Sequence, residues 1–316
     1  MGCDVIVDFG SGLGYLDQHL FETTNYKVLG IECNEHHYVG AKKRQRKYHA
    51  SSTDNVKYIK HTVTENSHEN IQSYVQDKFV NHREFCIAGL HACADLTIDA
   101  INLFLKMADA KAMVIMPCCY HKMSASEGIF KNFPLSSSFK DIFERSKEKK
   151  FLGIPFLRLA AQPPSMGEKL EDLVFNLLSR AVLQLYAFKH NLKLKRNKRK
   201  AVKTKTMDNN FEVYILDATT TGFNLIENGP VNDTKKVENP TFDLEELMTL
   251  WHSHKSKLKK AGIFILLQNY LQPVIENLVL FDRLVFLKEN GVTNCTFKKI
   301  LNEKISPRCL ALVAYK

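Results

Sequence analysis

The sequence predicts an α/β protein whose main sheet is doubly wound and mostly parallel. Within the first 116 residues, five short apolar runs alternate with segments of helical periodicity. Apolar runs without polar alternation are typical of strands buried on both faces, and strands that alternate with helices form βαβ units. A cluster of glycines directly after the first run is a third observation, since a ligand loop commonly follows the first strand of such a sheet.

The elements of this first part follow from two periodicities. Apolar residues at spacings of three and four predict a helix between consecutive strands, as in the stripe formed by Ile71, Val75 and Phe79. The five predicted strands cover residues 5–7, 27–32, 56–59, 85–88 and 112–116.

The rest of the chain predicts an insertion and a closing strand. We expect residues 1–123 to form the core, residues 124–305 a mainly helical insertion, and residues 306–316 a strand that returns to the core sheet. Residues 309–315 are apolar almost throughout, which indicates burial on both faces, and the core sheet offers the edge to receive them. A single domain with an insertion follows.

The insertion has its own predicted elements. Its apolar periodicity indicates long helices, and a short β-rich run indicates one further strand. In chain order we expect a helix at 170–188, a basic loop at 189–205, a strand at 211–218, and helices near 243–260 and 263–289.

The positive charge of the chain is concentrated in two places. The formal net charge is +10, and residues 189–205 contain nine basic residues and no acidic one. A second cluster, K-K-R-Q-R-K, covers residues 42–47. Both blocks suit a polyanion, and RNA is the partner we expect for them; a solvated loop and a solvated helix face remain the alternative.

Composition also favours a compartment and excludes some classes. The eight cysteines do not make a secreted disulfide framework in 316 residues, and no leader pattern is visible, so we expect a cytoplasmic or nuclear protein. Polar residues interrupt the apolar stretch 263–287, which we interpret as a buried pair of helices and not as a membrane anchor. The oligomeric state stays open.

The glycine cluster is the first candidate site. It reads D-F-G-S-G-L-G over residues 8–14, and Glu32 ends the second predicted strand. The glycines permit a tight turn against a ligand, Glu32 suits two ribose hydroxyls, and Asp8 suits an ammonium group better than a pyrophosphate. S-adenosylmethionine has these groups, and its predicted binding residues are Asp8, Gly10, Ser11, Gly12, Gly14 and Glu32. The alternative is a tight turn beside a surface glutamate.

Further blocks narrow the interpretation. The runs G-L-H-A-C-A-D-L (89–96), M-P-C-C-Y-H-K-M (116–123) and S-P-R-C (306–309), with the glycine loop, resemble the methyltransferase-like protein 25 family. This resemblance implies a Rossmann-like class I methyltransferase fold, S-adenosylmethionine as cofactor and an antiparallel C-terminal strand. The histidine and cysteine blocks are more distantly similar to a tRNA ribose methyltransferase family. Family members carry a helical region before the first strand, so we expect this chain to be a fragment, to use an alternative start or to be a shortened isoform.

The two cysteine–histidine blocks are the second candidate site. Both follow predicted neighbouring strands, whose carboxyl ends meet where ligands bind. The candidate proton acceptors are His91, Asp95 and His121, and the candidate pocket residues are Cys93, Cys118, Cys119 and Tyr120.

Two other interpretations of these blocks stay open. The cysteines could fill the core, and Asp95 could cap a helix. Cys93, Cys118, Cys119 and His121 could instead bind zinc, but adjacent residues in an extended strand point apart, so no metal is assigned.

The leading functional hypothesis is an S-adenosylmethionine-dependent methyltransferase with RNA as the expected acceptor. A protein acceptor would leave the same cofactor signature. The alternative is a non-catalytic binding or scaffold protein on a methyltransferase fold.

Overall fold

A computed structural model describes residues 3–146, 152–162, 169–197, 209–227, 241–303 and 305–316. The chain forms two compact units, one made of Met1–Pro164 with Leu271–Lys316 and the other of Ser165–Tyr270. The inserted unit is therefore shorter than the predicted insertion of residues 124–305, because residues 124–164 and 271–305 belong to the first unit.

The secondary structure alternates strands and helices in the first part of the chain. The strands are β1 (Val5–Phe9), β2 (Lys27–Glu32), β3 (Val56–Lys60), β4 (Phe85–Cys93), β5 (Ala110–Cys118), β6 (Ala125–Ser126), β7 (Ile129–Phe130), β8 (Leu192–Arg196), β9 (Phe223–Glu227), β10 (Cys295–Lys299) and β11 (Leu310–Tyr315). The α-helices are α1 (Tyr15–Thr23), α2 (Glu35–Tyr48), α3 (His68–Lys78), α4 (Leu96–Lys106), α5 (Ser137–Arg145), α6 (Ile154–Ala160), α7 (Leu170–Lys189), α8 (Phe211–Asp217), α9 (Leu244–His254) and α10 (Leu258–Glu289).

Seven strands form the main sheet, in the order β10-β11-β5-β4-β1-β2-β3. The five strands β1 to β5 are mutually parallel, whereas β11 runs antiparallel to both β5 and β10. The Rossmann-like class I methyltransferase fold is thereby confirmed, including its antiparallel C-terminal strand. Residues 310–315 join the core sheet as predicted; β10 was not predicted.

Both faces of this sheet are covered, as a doubly wound fold requires. Along β1, Val5 and Val7 face a cluster that includes residues of α3 and α4, whereas Ile6 faces a second cluster on the other side. All five residues of β1 are buried. The carboxyl ends of β1, β2, β4 and β5 consequently lie at one edge of a rigid layer, where a ligand can be held.

The second unit has an aromatic core of its own. Trp251 of α9 stacks on Phe211 with the ring centroids 4.4 Å apart, and Phe175 meets Trp251 edge-on. The strand predicted at 211–218 is wrong, since this segment is α8. The Asn210 side chain accepts hydrogen bonds from the amides of Glu212 and Val213 and so starts a helix.

The interpretation of the basic tract 189–205 as a loop outside the folded part is also corrected. Lys189 ends α7, and Leu192–Arg196 is β8, paired antiparallel with β9. Leu192 and Leu194 pack against the aromatic core, while Lys193 and Lys195, which alternate with them, are exposed. Alternation of this kind makes a half-buried strand. Residues 198–205 lie outside the described residues.

The expected buried pair of helices over residues 263–287 is in fact part of one helix, α10, with Pro273 inside it. Large apolar side chains such as Ile263, Leu267 and Val274 are more than half exposed. By length and composition alone, one helical stretch of the described chain, Leu244–Glu289, could cross a membrane, and 22% of its most apolar window is buried. A single such helix is weak evidence for a membrane.

Candidate functional site

The loop between β1 and α1 turns on three glycines in the left-handed region. Their φ values are 79° at Gly10, 59° at Gly12 and 75° at Gly14, a conformation that other residues adopt only at a cost. The amides of Gly10 and Ser11 donate to the carbonyl of Ile31, which ties the loop to the end of β2. The loop is therefore a fixed cradle of backbone without side-chain bulk.

Glu32 lies beside this loop, at the end of β2. Its carboxylate accepts hydrogen bonds from the Gly12 amide at 2.9 Å and from the Asn34 amide at 2.7 Å. The side chain of Asn34 in turn accepts from the amides of His36 and His37 and begins α2. These bonds hold the Glu32 carboxylate in one orientation. The oxygen that accepts from Asn34 also accepts from the Cys33 thiol at 3.6 Å, whereas the oxygen that accepts from Gly12 keeps a lone pair for a ribose hydroxyl.

Two buried acids lie under the loop. Asp8 of β1 and Asp17 of α1 are both buried, and burial raises the pKa of Asp8 to about 6. Burial also raises the pKa of Asp17, and the neighbouring Asp8 charge raises it further. The Oδ1 atom of Asp8 and the Oγ atom of Ser11 are buried without a hydrogen-bond partner among the described residues.

These acids explain which ligand the cradle suits. Glu32 adds a third carboxyl close enough to raise the pKa of Asp8. A cationic ligand lowers the cost of ionising such a group, whereas a phosphate raises it. S-adenosylmethionine carries a sulfonium and an ammonium group, so the residues present fit this cofactor.

Sequence reasoning missed three residues that support the loop. Asp17, Gln18 and Tyr58 are buried beneath it, and the Gln18 side chain donates to the Tyr58 hydroxyl at 3.0 Å. A signal was available, because acidic and amide residues rarely occupy the core-facing positions of a helix without a role.

The second group of residues lies at the carboxyl ends of β4 and β5. Cys93 and Cys118 are partners in the parallel register, and their sulfurs are 3.0 Å apart. The Cys119 sulfur lies 3.6 Å from that of Cys93. Hydrogen bonds from Cys118, and more weakly from Cys119, lower the pKa of Cys93 to about 6 although burial opposes the shift.

The predicted proton acceptors differ in their surroundings. Burial, together with the charges of Arg158 and Lys122, lowers the pKa of His121, so its imidazole is neutral at physiological pH and can accept a proton. The Nδ1 atom of His121 is buried without a partner within the described ranges. His91 is exposed and has φ 59°.

Asp95 is engaged elsewhere. One oxygen accepts from the backbone amide and hydroxyl of Ser124, both at 2.7 Å, and the other from the Asn132 side chain at 2.8 Å. Burial opposes the shift, but these hydrogen bonds lower the pKa of Asp95. The carboxylate therefore fixes the segment after β5 and is a poor base. Its side chain makes no capping hydrogen bond to α4.

Tyr120, which the sequence suggests as a pocket residue, is buried. Its ring is buried in a hydrophobic cluster, and its hydroxyl donates to the Glu276 carboxylate at 3.0 Å. The Arg308 guanidinium pairs with the same carboxylate. Tyr120 is part of a buried polar network that anchors the segment after β5.

Fold and site together define a class of protein. The sheet has an antiparallel strand inserted beside β5, a glycine loop follows β1, and an acid ends β2. This combination is that of the S-adenosylmethionine-dependent methyltransferases.

The comparisons with known sequences point to the same class of protein. A family described as "Methyltransferase domain" matches residues 1–126. The Mus musculus protein called "Probable methyltransferase-like protein 25" is 26% identical over 323 residues, covering 98% of this chain and 49% of the mouse protein. The Homo sapiens protein of the same name is 25% identical, covering 93% of this chain and 46% of the human protein. The chain is similar to these methyltransferase-like proteins over nearly its whole length and spans about half the length of the curated relatives it matches.

Solved structures overlap with a smaller part of the chain. One of them is an RNA methyltransferase from Salinibacter ruber in complex with S-adenosyl-L-homocysteine. The match includes 37% of this chain and 67% of the Salinibacter chain, with 15% sequence identity and a TM-score of 0.26. An S-adenosylmethionine-dependent methyltransferase from Mesorhizobium loti covers 36% and is covered to 46%, with 18% identity and a TM-score of 0.25. Overlaps this partial say nothing about the substrate of this chain.

Proposed function

We propose that this chain transfers a methyl group from S-adenosylmethionine to RNA. The observation that carries the proposal is the meeting of a cofactor cradle with a basic, aromatic helix face at one end of the sheet. Gly10, Gly12 and Gly14 would receive the cofactor, and Glu32 would accept hydrogen bonds from its ribose. The cofactor supplies a methyl group that its sulfonium has already activated.

The protein has to align the acceptor and accept its proton. His121 is suited to the second task, because its lowered pKa keeps the ring neutral at physiological pH. Exposed His91 lies near the end of β4, two residues before Cys93, whose register partner is Cys118 of β5. Asp95 would act as a positioning residue, since its oxygens already hold Ser124 and Asn132.

The RNA part of the proposal is supported by α2. Lys43, Arg46 and Lys47 are exposed on this helix, and Arg44 lies over the ring of Tyr15 with its Cζ atom 3.9 Å from the centroid. Tyr15 follows the last glycine of the loop and is 62% exposed. Cations track a nucleic-acid backbone, and exposed aromatic rings stack on unpaired bases.

The helix also lies close to the cradle. A Cβ atom built on Gly40 of α2 would come within 2.7 Å of the Leu13 side chain, which belongs to the glycine loop. A strand of RNA on α2 would therefore be held next to the cofactor. The exposed lysines of β8, Lys193 and Lys195, offer a further basic surface in the second unit.

Methyl transfer is tested with radiolabelled S-adenosylmethionine on cellular RNA and protein fractions, followed by nuclease or protease digestion. We expect nuclease-sensitive label with this chain and less of it with Glu32→Ala at a cofactor concentration that does not saturate the variant. Label in protein alone would contradict RNA as the acceptor but would still support methyltransferase activity. Cofactor binding without transfer to either fraction would favour the scaffold alternative.

RNA binding is tested by its salt dependence. The triple variant Lys43→Ala, Arg46→Ala, Lys47→Ala should reduce the slope of log K against log salt by up to about 2, given about 0.7 for each contact with single-stranded RNA. The control variant removes the same charge from exposed positions elsewhere, at Lys78, Lys106 and Lys288. Equal slopes in the two variants would place RNA binding away from α2 or exclude it.

A further inference from the structure

Three thiol groups converge at the carboxyl ends of β4 and β5. The sulfurs of Cys93, Cys118 and Cys119 all lie within 4.8 Å of one another, and two of the separations are 3.0 Å and 3.6 Å. A zinc ion held by thiolates at about 2.3 Å in tetrahedral geometry separates its sulfurs by about 3.8 Å. The two stated separations are shorter than this value and the third is at most 4.8 Å, so small side-chain rotations suffice to receive such an ion.

The backbone is bent to bring these thiols together. Adjacent residues of an extended strand point to opposite sides, but Cys119 lies just beyond β5 and has φ 51°. This left-handed turn swings its side chain to the same side as that of Cys118. The sequence argument against a metal, which assumed an extended Cys118–Cys119 pair, therefore fails.

The partner strand is bent as well. The register of β4 against β5 shifts between Gly89 and Ala92, and His91 and Ala94 on either side of Cys93 have φ values of 59° and 55°. Left-handed conformations are strained for residues other than glycine and persist where the surroundings impose them. His91 and Ala94 lie within two residues of Cys93, and the third residue with a left-handed backbone is Cys119 itself. The backbone is therefore shaped around the cysteine cluster.

We infer that Cys93, Cys118 and Cys119 bind one zinc ion through three thiolates and leave its fourth position open. Filling of the core accounts for Cys118, which is buried, but not for Cys93, which is exposed. A disulfide would use two of the sulfurs and would not require the third to turn inward. Three protein ligands with an open position are typical of zinc that contacts a substrate or water. The site is independent of whether RNA is the acceptor.

The wild-type chain gives the first test. Purified in reducing buffer without chelator, it should contain one zinc ion per chain by elemental mass spectrometry. Cobalt chloride added to the chelator-stripped chain should give a sulfur-to-cobalt charge-transfer band. Zinc chloride should slow alkylation of Cys93 by iodoacetamide but leave Cys33, an exposed thiol outside the cluster, unaffected. Because this comparison is made within one molecule, it does not depend on the folding of a variant.

Variants give the second test. Cys93→Ser and Cys119→Ser should each weaken zinc binding, measured by competition with a chromogenic chelator, by more than the 10- to about 100-fold that loss of an outer-shell partner costs. The control is Cys309→Ser, a half-buried thiol outside the cluster, with folding checked by circular dichroism. Full zinc content in both variants would overturn the inference. So would a Cys93–Cys118 disulfide in place of metal, or copper or iron in place of zinc.

Discussion

The ring of Tyr58 occupies the space into which a side chain at Gly14 would extend. A Cβ atom built on Gly14 would lie 2.8 Å from the Cζ atom of Tyr58 and closer still to its hydroxyl. Gly14 also has φ 75°. Position 14 therefore needs glycine for two separate reasons: its backbone is left-handed, and Tyr58 fills the space that a side chain would need. Because Tyr58 belongs to β3, this contact packs the cofactor loop against β3.

Gly14→Ala should lower stability and cofactor affinity together. The left-handed backbone costs about 1–2 kcal/mol with a side chain, and overpacking against Tyr58 adds about 1–3 kcal/mol. Gly128→Ala is the matched control, because Gly128 has φ 81° with no atom within 4 Å of a built Cβ. Chemical denaturation measures both variants. Equal losses of stability would show that the Tyr58 contact adds nothing.

Glu32→Ala should weaken binding of S-adenosylmethionine by about 1–3 kcal/mol, as expected for a lost pair of charge-assisted hydrogen bonds. The loop should also loosen, since the Gly12 and Asn34 amides lose their acceptor. Glu35→Ala removes a nearby exposed carboxylate as the control. Titration calorimetry compares the two, and unchanged affinity in a folded Glu32→Ala protein would rule out this placement of the ribose.

The sequence predicted the parts of the fold that packing dictates. Residues 5–7 of β1 and 112–116 of β5 are uninterrupted apolar runs, so their burial could be predicted directly. Edge strand β10 reads C-T-F-K-K and is half exposed, and only its pairing with β11 makes it a strand. The β-rich composition of residues 211–216 predicted a strand, but this segment is α8. As a helix it places Phe211, Tyr214 and Ile215 on one face, which is buried in the aromatic core.

The candidate site likewise contains residues that could be predicted from the sequence and residues that could not. The loop glycines and Glu32 could be predicted, since each satisfies a local backbone or ligand requirement. The convergence of Cys118 and Cys119 could not, because nothing in a cysteine indicates a left-handed φ. The hydrogen bonds that Asp95 accepts from Ser124 and Asn132 could not be predicted either, because these partners lie 29 and 37 residues further along the chain.

Deletion of residues 306–316 should unfold or aggregate the chain. The deleted strand β11 lies inside the sheet, paired with β5 on one side and β10 on the other, so its loss would leave two unpaired edges. A milder variant, Leu312→Ala, should cost about 2–5 kcal/mol because Leu312 is fully buried. Exposed Ile305→Ala should stay within about 0.5 kcal/mol. A soluble truncation with an unchanged thermal midpoint would show that the C-terminal strand is peripheral.

The buried pair of Asp8 and Asp17 should make stability fall as the pH rises. Both pKa values are raised in the folded chain, that of Asp8 to about 6, so folding favours the protonated forms. This contribution is complete below about pH 4, the ordinary range of an aspartate, and is lost as the pH rises through about 6. For a shift of this size the loss is on the order of 3 kcal/mol.

Asp17→Asn separates this pair from other titrating groups. The amide resembles the protonated acid in shape and can donate to Asp8, so the variant should match the wild type near pH 4 and exceed its stability at pH 8. Asp54→Asn, at an exposed position, is the control and should leave the pH dependence of stability unchanged. Urea unfolding at a series of pH values measures all three proteins. Parallel curves for Asp17→Asn and the wild type would show that the buried pair does not cause the pH dependence of stability.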